Sequence, residues 1–362
     1  MAPSAGESPE HAARRIALEQ TVELPDGCYP AEIEDRSVGR VEDAAVLDDG
    51  RWQLRISYAA RLASRDIPQL LNLLFGNVSL LANVEVIEAE FPEVLLRGLP
   101  GPQFGVGGLR DMCGVRNRPL LCSAAKPVGL SVRELADRCA ALARGGIDVV
   151  KDDHGITDQA MAPFAERVER CQEAVQGANA ATGRHALYFP NVTGPVEAVA
   201  SRVEAAKAAG CRGVLVSPFL VGLDALRWLA ESSGIALLAH PTFAGGLSSP
   251  GHGIAPRLLF GTLLRLFGAD GVILINAGGR FPVSEAQALG IAGRLRDTEM
   301  PLRPALPVLG GGVSVADVPR WISRFGCDVM FLVGGSLYAQ GDLERAASRL
   351  LAVVEQSAEC GT

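Results

Sequence analysis

A (β/α)8 TIM barrel of the α/β class, preceded by a smaller α+β N-terminal domain, is the fold this sequence predicts. Three observations carry it. Beyond Pro119, short apolar runs of strand length alternate with amphipathic helical stretches; the runs number eight; and the last two end in glycine clusters. With 362 residues, 48% of them hydrophobic, the chain can bury a large core.

The elements follow in order. Residues 1–15 are polar and expected to be disordered, and residues 16–110 to form the α+β domain. Alternation predicts strands over 16–24, 51–58 and 84–90, and a helix that opens at Pro68, runs through Leu74 and stops at Gly76. The loop-like LPGPQFGVGG at 99–108 marks the junction, and residues 111–362 form the barrel. Its predicted strands are 120–125, 147–151, 185–189, 213–217, 235–239, 271–275, 305–309 and 328–333. A doubly wound open sheet is the alternative; the count of eight favours closure.

Composition excludes several classes. A net charge of −7 argues against a nucleic-acid-binding protein. No uninterrupted apolar run reaches membrane-span length, and the polar N-terminus lacks the apolar stretch of a signal peptide, so a cytoplasmic protein is expected. The eight cysteines are scattered without a CxxC pair, which reads as reduced, mostly buried thiols rather than a zinc site.

Lysine is rare: of 34 basic residues only Lys126, Lys151 and Lys207 are lysines. Arginine neither gives up its proton nor forms a carbamate, so a retained lysine invites a chemical reading. Lys207 lies in a helical stretch and reads as solvated. Lys126 follows the first barrel strand, and the second ends in Lys151-Asp152-Asp153-His154. Strand alternation turns Lys151 and Asp153 one way and Asp152 the other. Asn191 follows the third strand, His240 the fifth, and His252 is expected in a loop of the same face. Gly310-Gly311-Gly312 and Gly334-Gly335 end strands seven and eight, where barrels of this kind often bind phosphate against backbone N–H groups. Each glycine pair could equally serve a tight turn. The lysine-acid cluster, taken alone, is either an ion pair or part of a metal site.

These segments are similar to those of the RuBisCO large chain. GGIDVVKDDHGITDQ (145–159) resembles the segment around that family's carbamylated lysine, and AAKPVGLS (124–131) the segment carrying its acid/base lysine. The likeness continues through NVTG (191–194), the glycines at 310–312 and VGGSL (333–337), and back to LLNLLFGNVSLL (70–81), whose Asn77 takes the place of an active-site asparagine. The resemblance implies Mg2+ held by carbamylated Lys151, Asp153 and His154, with Lys126 as the proton-transferring group and His240 the next candidate base. It implies a substrate contacted by Asn77, Asn191, Gly311, Gly312, Gly334 and Gly335, in a homodimer with shared sites.

The departures limit the chemistry. Val128 replaces the second lysine, His154 a glutamate, Pro241 an arginine, Gly310 a serine and Ile273 a histidine. The loop NAGGR (276–280) lacks the lysine that stabilises a newly formed carboxylate, so CO2 fixation is not expected. What remains is enolisation of a phosphorylated keto-sugar or sugar acid. The expected enzyme is a RuBisCO-like isomerase of the 5-methylthioribulose-1-phosphate type, or a decarboxylase of a 3-oxo-sugar-acid phosphate. The family's enolase branch takes its base from an N-terminal lysine, and this chain has none before Lys126. The other reading is a barrel that binds a sugar phosphate without turning it over.

Overall fold

Eight short runs of almost wholly buried residues can satisfy their backbone groups only in a sheet covered on both faces, and the structure builds that sheet. The computed structural model describes residues 1, 6–63 and 66–358. They divide into two units, Met1–Leu99 with Ala244–Leu259, and Pro100–Phe243 with Phe260–Thr362.

In the second unit the strands are β1 (Leu120–Ala125), β2 (Val149–Asp152), β3 (Leu187–Phe189), β4 (Gly213–Val216), β5 (Ala236–Ala239), β6 (Gly271–Ile275), β7 (Leu306–Gly310) and β8 (Met330–Leu332). All eight lie within a few residues of the predicted runs. They pair in parallel in the order β3-β2-β1-β8-β7-β6-β5-β4. A parallel bridge from Asn191 to Leu215 joins the two remaining edges, with Val192 N–H donating to Leu215 O at 2.9 Å. The sheet is a closed barrel. Its interior is packed with Leu120, Val149, Phe189, Leu215, Ile273 and Val308, each contributing roughly 1.5–3 kcal/mol on burial.

The outer helices are α1 (Val132–Arg144), α2 (Phe164–Thr182), α3 (Val196–Ala208), α4 (Leu223–Ser232), α5 (Leu264–Leu266), α6 (Glu285–Arg296), α7 (Val318–Phe325) and α8 (Leu343–Ser357). Capping boxes, Ser131 with Glu134 and Ser284 with Gln287, start α1 and α6. The repeat is irregular once: after β5 the chain passes through the first unit and returns along the π-helical turns Arg257–Leu263 into α5.

At the N-terminal ends of the strands, helix Gly105–Cys113 contributes Leu109, Met112 and Cys113 to the barrel core. Its start is fixed by Asp270, whose carboxylate accepts N–H bonds from Phe104 at 2.6 Å and Gly105 at 2.9 Å. The expected loop over 99–108 therefore ends at Phe104.

The first unit corrects the reading of the N-terminus. Residues 2–5 lie outside the described ones, but Pro9–Glu19 is a helix, capped by Ser8 and burying Ala12, Ala13, Ile16 and Ala17. Over residues 9–15 a helix stands where disorder was expected, and no strand forms over 16–24. The apparent alternation after Ile16 is the end of a 3.6-residue period that begins upstream, in alanines too small to stand out. Trp52–Ser57 is a strand as predicted, paired antiparallel with Arg40–Val46, which the sequence reading missed. Helix Ile67–Phe75 starts under an Asp66 cap and ends at Gly76. Of the strand expected over 84–90 only Glu85–Val86 pairs, in parallel with His252–Ile254. His252 accordingly belongs to the first unit, with its ring edge-on to Phe75, rather than to a barrel loop.

Cys28, Cys113, Cys122, Cys139, Cys171 and Cys211 are free thiols, but Cys327 is disulfide-bonded, so the expectation of uniformly reduced cysteines fails there. Cys360 lies outside the described residues. Among the described residues no helix is long and apolar enough to cross a membrane.

Candidate active site

Strand β2 places three charged residues in succession at the mouth of the barrel. Lys151 follows Val149 on the interior face and is almost wholly buried; its ammonium donates to Asp152 O at 3.0 Å. Burial lowers its pKa, and Lys126 pushes the same way, while Cys122, Asp153 and Asp152 oppose. A lysine so placed has a larger neutral fraction than an exposed one.

Asp152 faces the opposite way, into the layer between β2 and α2. It accepts bonds from Arg167 Nε at 3.2 Å, Tyr188 Oη at 2.7 Å and Asn191 N at 2.9 Å. Asp153 opens toward the mouth. Lys126 Nζ stands 3.5 Å from its Oδ2, and His154 Nδ1 lies 3.3 Å from its Oδ1. Burial alone would raise its pKa, but the Gly155 N–H and the charges of Lys151, Lys126 and His154 outweigh that and lower it. Val128 stands against the same loop: a Cβ on Gly155 would meet its Cγ2 at 3.3 Å.

Lys126 also borders the β8 loop, since a Cβ on Gly334 would lie 3.4 Å from its Nζ. Gly335 has open space above it. Gly311 and Gly312 both have φ +74°, a conformation that favours glycine. The loop after β6 reaches Gly312 directly, as a Cβ there would run into Gly279 N. The predicted phosphate cradle is thus open at Gly311, Gly334 and Gly335 and covered at Gly312. Ser336 Oγ donates to Val313 O at 3.2 Å and ties the two glycine loops together.

His154 and His240 stack with ring centroids 4.4 Å apart and planes 14° apart. His240 Nδ1 accepts the Thr242 N–H at 3.1 Å and the Thr242 hydroxyl at 2.7 Å, which leaves the ring proton on Nε2. Burial, reinforced by Lys151 and His154, pushes its pKa down to about 2. His240, expected as a reserve base, thus lies at the mouth against His154 with its Nδ1 engaged by Thr242. Asn191, expected to contact the substrate, is wholly buried just after β3. Its amide donates to His154 O and Ile156 O, both at 3.0 Å, so it shapes the β2 loop rather than offering free donors to a substrate. Asn77 belongs to the first unit, where it is exposed and donates to Glu19 Oε1 at 3.0 Å. Lys207 is half-buried on α3 and paired with Glu204 at 2.9 Å, in keeping with a solvated lysine.

A metal site can be tested on the donor set. Among the described residues no cluster of three or more His, Cys, Asp or Glu side chains forms a ready ligand group. Asp153 and His154 nonetheless present donor atoms 3.3 Å apart, near the roughly 2.9 Å between adjacent ligands of an octahedral ion with bonds of about 2.05 Å. The buried, pKa-lowered Lys151 beside them could supply the third donor once carbamylated. The residues fit an ion on that condition.

Sequence reading missed the supports: Arg167 and Tyr188, which hold Asp152, and Thr242, which sets the His240 tautomer. Arg167 gave the one usable signal, a charged residue on the face of α2 shared with Phe164, Val168 and Cys171.

Residues 105–355 match the family described as the ribulose bisphosphate carboxylase large chain, catalytic domain. A 5-methylthioribulose-1-phosphate isomerase of Rhodospirillum rubrum is 39% identical over 337 residues, 92% of this chain and 88% of that one. A 2,3-diketo-5-methylthiopentyl-1-phosphate enolase of Geobacillus kaustophilus is 38% identical over 293 residues, 80% of this chain and 71% of that one. The crystal structure of a Rubisco-like protein from Rhodopseudomonas palustris superposes with a TM-score of 0.88 at 38% identity, covering 98% of this chain and 95% of that one. With the lysine-acid cluster, the glycine loops and the closed barrel all in place, the chain belongs to the RuBisCO large-chain family and resembles its RuBisCO-like members.

Proposed function

We propose that this protein isomerises a phosphorylated keto-sugar of the 5-methylthioribulose-1-phosphate kind by enolisation, without fixing CO2. The observation that carries the reading is the position of Lys126, 3.5 Å from Asp153 and bordering Gly334. An amine between the carboxylate corner and the glycine loops is placed to reach the hydroxyl-bearing carbon next to the carbonyl of a substrate whose phosphate lies at those loops. Lys126 takes the proton from that carbon and returns it to the former carbonyl carbon, while the hydroxyl proton passes to the former carbonyl oxygen, so that the carbonyl moves by one carbon and the product is an isomer with no atom lost. His240 Nε2–H is a donor for an oxygen that gains negative charge as the proton leaves.

Lys151, whose neutral amine adds CO2 and releases one proton to become a carbamate, would hold a divalent ion together with Asp153 and His154. When bound, that ion supplies polarisation of the substrate carbonyl. Decarboxylation of a 3-oxo-sugar-acid phosphate would pass through the same enolate. The isomerase is preferred because the Rhodospirillum rubrum relative carries that name over nearly the whole chain. The enolase reading is disfavoured by the absence of any lysine before Lys126.

The test is 5-methylthioribulose 1-phosphate in D2O with a divalent ion and bicarbonate, followed by NMR. Deuterium entry and isomer formation are expected, with exchange falling at least about 10^2-fold in Lys126→Met, the scale of a lost general base. Binding without exchange in the unmodified protein would leave a sugar-phosphate-binding protein.

The site is further proposed to be shared across a two-fold dimer, with Asn77 reaching the partner's barrel. Its amide bonds Glu19 and not the last carbonyls of its own helix, so a helix cap does not account for it. Asn77→Ala and Lys151→Ala, each inactive alone, should regain activity when refolded together; mixed dimers without activity would refute sharing.

A further inference from the structure

Within the proposed metal site, the identity of the ion follows from what the β2 loop offers. Strand β2 brings two adjacent carboxylates to the mouth, but only one is available. Asp152 is fully buried and already bonded to Arg167, Tyr188 and Asn191 N. Asp153 is the carboxylate that faces the mouth, and the next side chain is an imidazole. That imidazole is held in place: its ring stacks on His240 at 4.4 Å, its carbonyl is fixed by Asn191, and its Nδ1 faces Asp153 Oδ1 at 3.3 Å. His240 does not add a second Nδ1 donor, because Thr242 uses it.

With carbamylated Lys151 the protein would offer two anionic oxygen donors and one neutral nitrogen. Mg2+ is a hard ion that prefers oxygen and gains little from imidazole, whereas first-row transition ions bind imidazole well. Exchanging a carboxylate for a histidine also removes one negative charge, which weakens the hold on Mg2+ further. We infer that the site is built for a first-row transition divalent ion, Mn2+, Fe2+ or Co2+, in preference to Mg2+, with His154 as the discriminating ligand. The inference rests on the proposal that Lys151, Asp153 and His154 hold a metal at all.

Mn2+ is the probe. The whole protein is equilibrated with bicarbonate and Mn2+, and bound ion is measured by equilibrium dialysis and pulsed EPR. Nitrogen hyperfine coupling to the bound Mn2+ is expected, along with its loss in His154→Ala. A hundredfold excess of Mg2+ should leave most of the Mn2+ bound. His154→Glu should then reduce the Mn2+-over-Mg2+ preference by about tenfold or more, the scale on which ligand surroundings alter metal affinity. Mn2+ bound without nitrogen coupling, coupling that survives His154→Ala, or an unchanged preference in His154→Glu overturns this inference and leaves the metal site standing. Failure of Mn2+ to bind in bicarbonate overturns both.

Discussion

The two ends of the barrel treat buried charge in opposite ways. At the closed end, Asp148 precedes β2 and takes a two-pronged bond from Arg118, at 2.7 and 2.8 Å, plus the Leu121 N–H at 2.7 Å. Asp270 precedes β6 and accepts the N–H groups of Phe104, Gly105 and Leu237. At the mouth, Asp153 and Lys126 face each other at 3.5 Å with side chains 17% and 35% exposed, and half-exposed His154 leans on His240. Closed-end charges are saturated and hold the fold; mouth charges keep capacity for something else. The division is the usual one in such barrels, where stability and catalysis occupy opposite faces. It is also local: at the mouth itself, the single step from Asp153 to Asp152 crosses from the working side to the saturated side, because successive residues of a strand point apart.

The largest expected effect breaks the closed end. Arg118→Ala leaves Asp148 buried beside an empty space and should cost about 3–5 kcal/mol of stability, the usual penalty for orphaning a buried charge. Activity per folded molecule should stay within about twofold, since the lost guanidinium is a barrel length from Lys126. Denaturant titration and active-site-normalised kinetics measure both. Loss of activity in folded protein would mean that the two ends are coupled.

A smaller effect sharpens the mouth. A methyl group on Gly335 meets nothing within 4 Å, so Gly335→Ala should fold with an unchanged melting temperature. If a phosphate docks there, the methyl group occupies its space, and KM should rise about tenfold, corresponding to about 1.4 kcal/mol. An unchanged KM would move the phosphate to Gly311.

The sequence displays the mouth better than it displays what supports it. Lys126, Lys151 and Asp153 were legible because lysine is so rare here that its positions carry information, and strand alternation correctly separated Asp152 from Asp153. The barrel strands were legible because fully buried parallel strands are continuous apolar runs. The helix Pro9–Glu19 was not, because its buried face is built largely of alanine, which barely marks a period. The strand Arg40–Val46 was not, because it is mostly exposed and bulged between Val41 and Asp43, so its RVEDAAV pattern never alternates cleanly. Asn191 as a substrate contact and His240 as a reserve base came from the resemblance to the family. Their roles depend on hydrogen bonds to His154 O, Ile156 O and Thr242 that no spacing in the chain announces.

The smallest effect tests whether Lys151 belongs to the mouth at all, by its pH dependence. Burial lowers the folded-state pKa of Lys151 below the ordinary lysine value. Between the folded and unfolded values the unfolded chain binds more protons, so the stability of the unmodified protein rises with pH across that window. Below the folded value the full penalty of burying the amine is present; above the unfolded value, near 10.4, it is gone. Lys151→Met keeps the length of the side chain and removes the ionisation. It also removes the bond to Asp152 O and the attraction of Asp153, so its stability at any one pH is a balance. The pH trend isolates the titration: in CO2-free buffer, the stability of Lys151→Met relative to the unmodified protein should decline from pH 7 to pH 10. Urea titrations of the two proteins at both pH values measure it. A relative stability that holds constant or increases over that range would mean that the amine is charged throughout, paired like Arg118 at the closed end, and not poised to take up CO2.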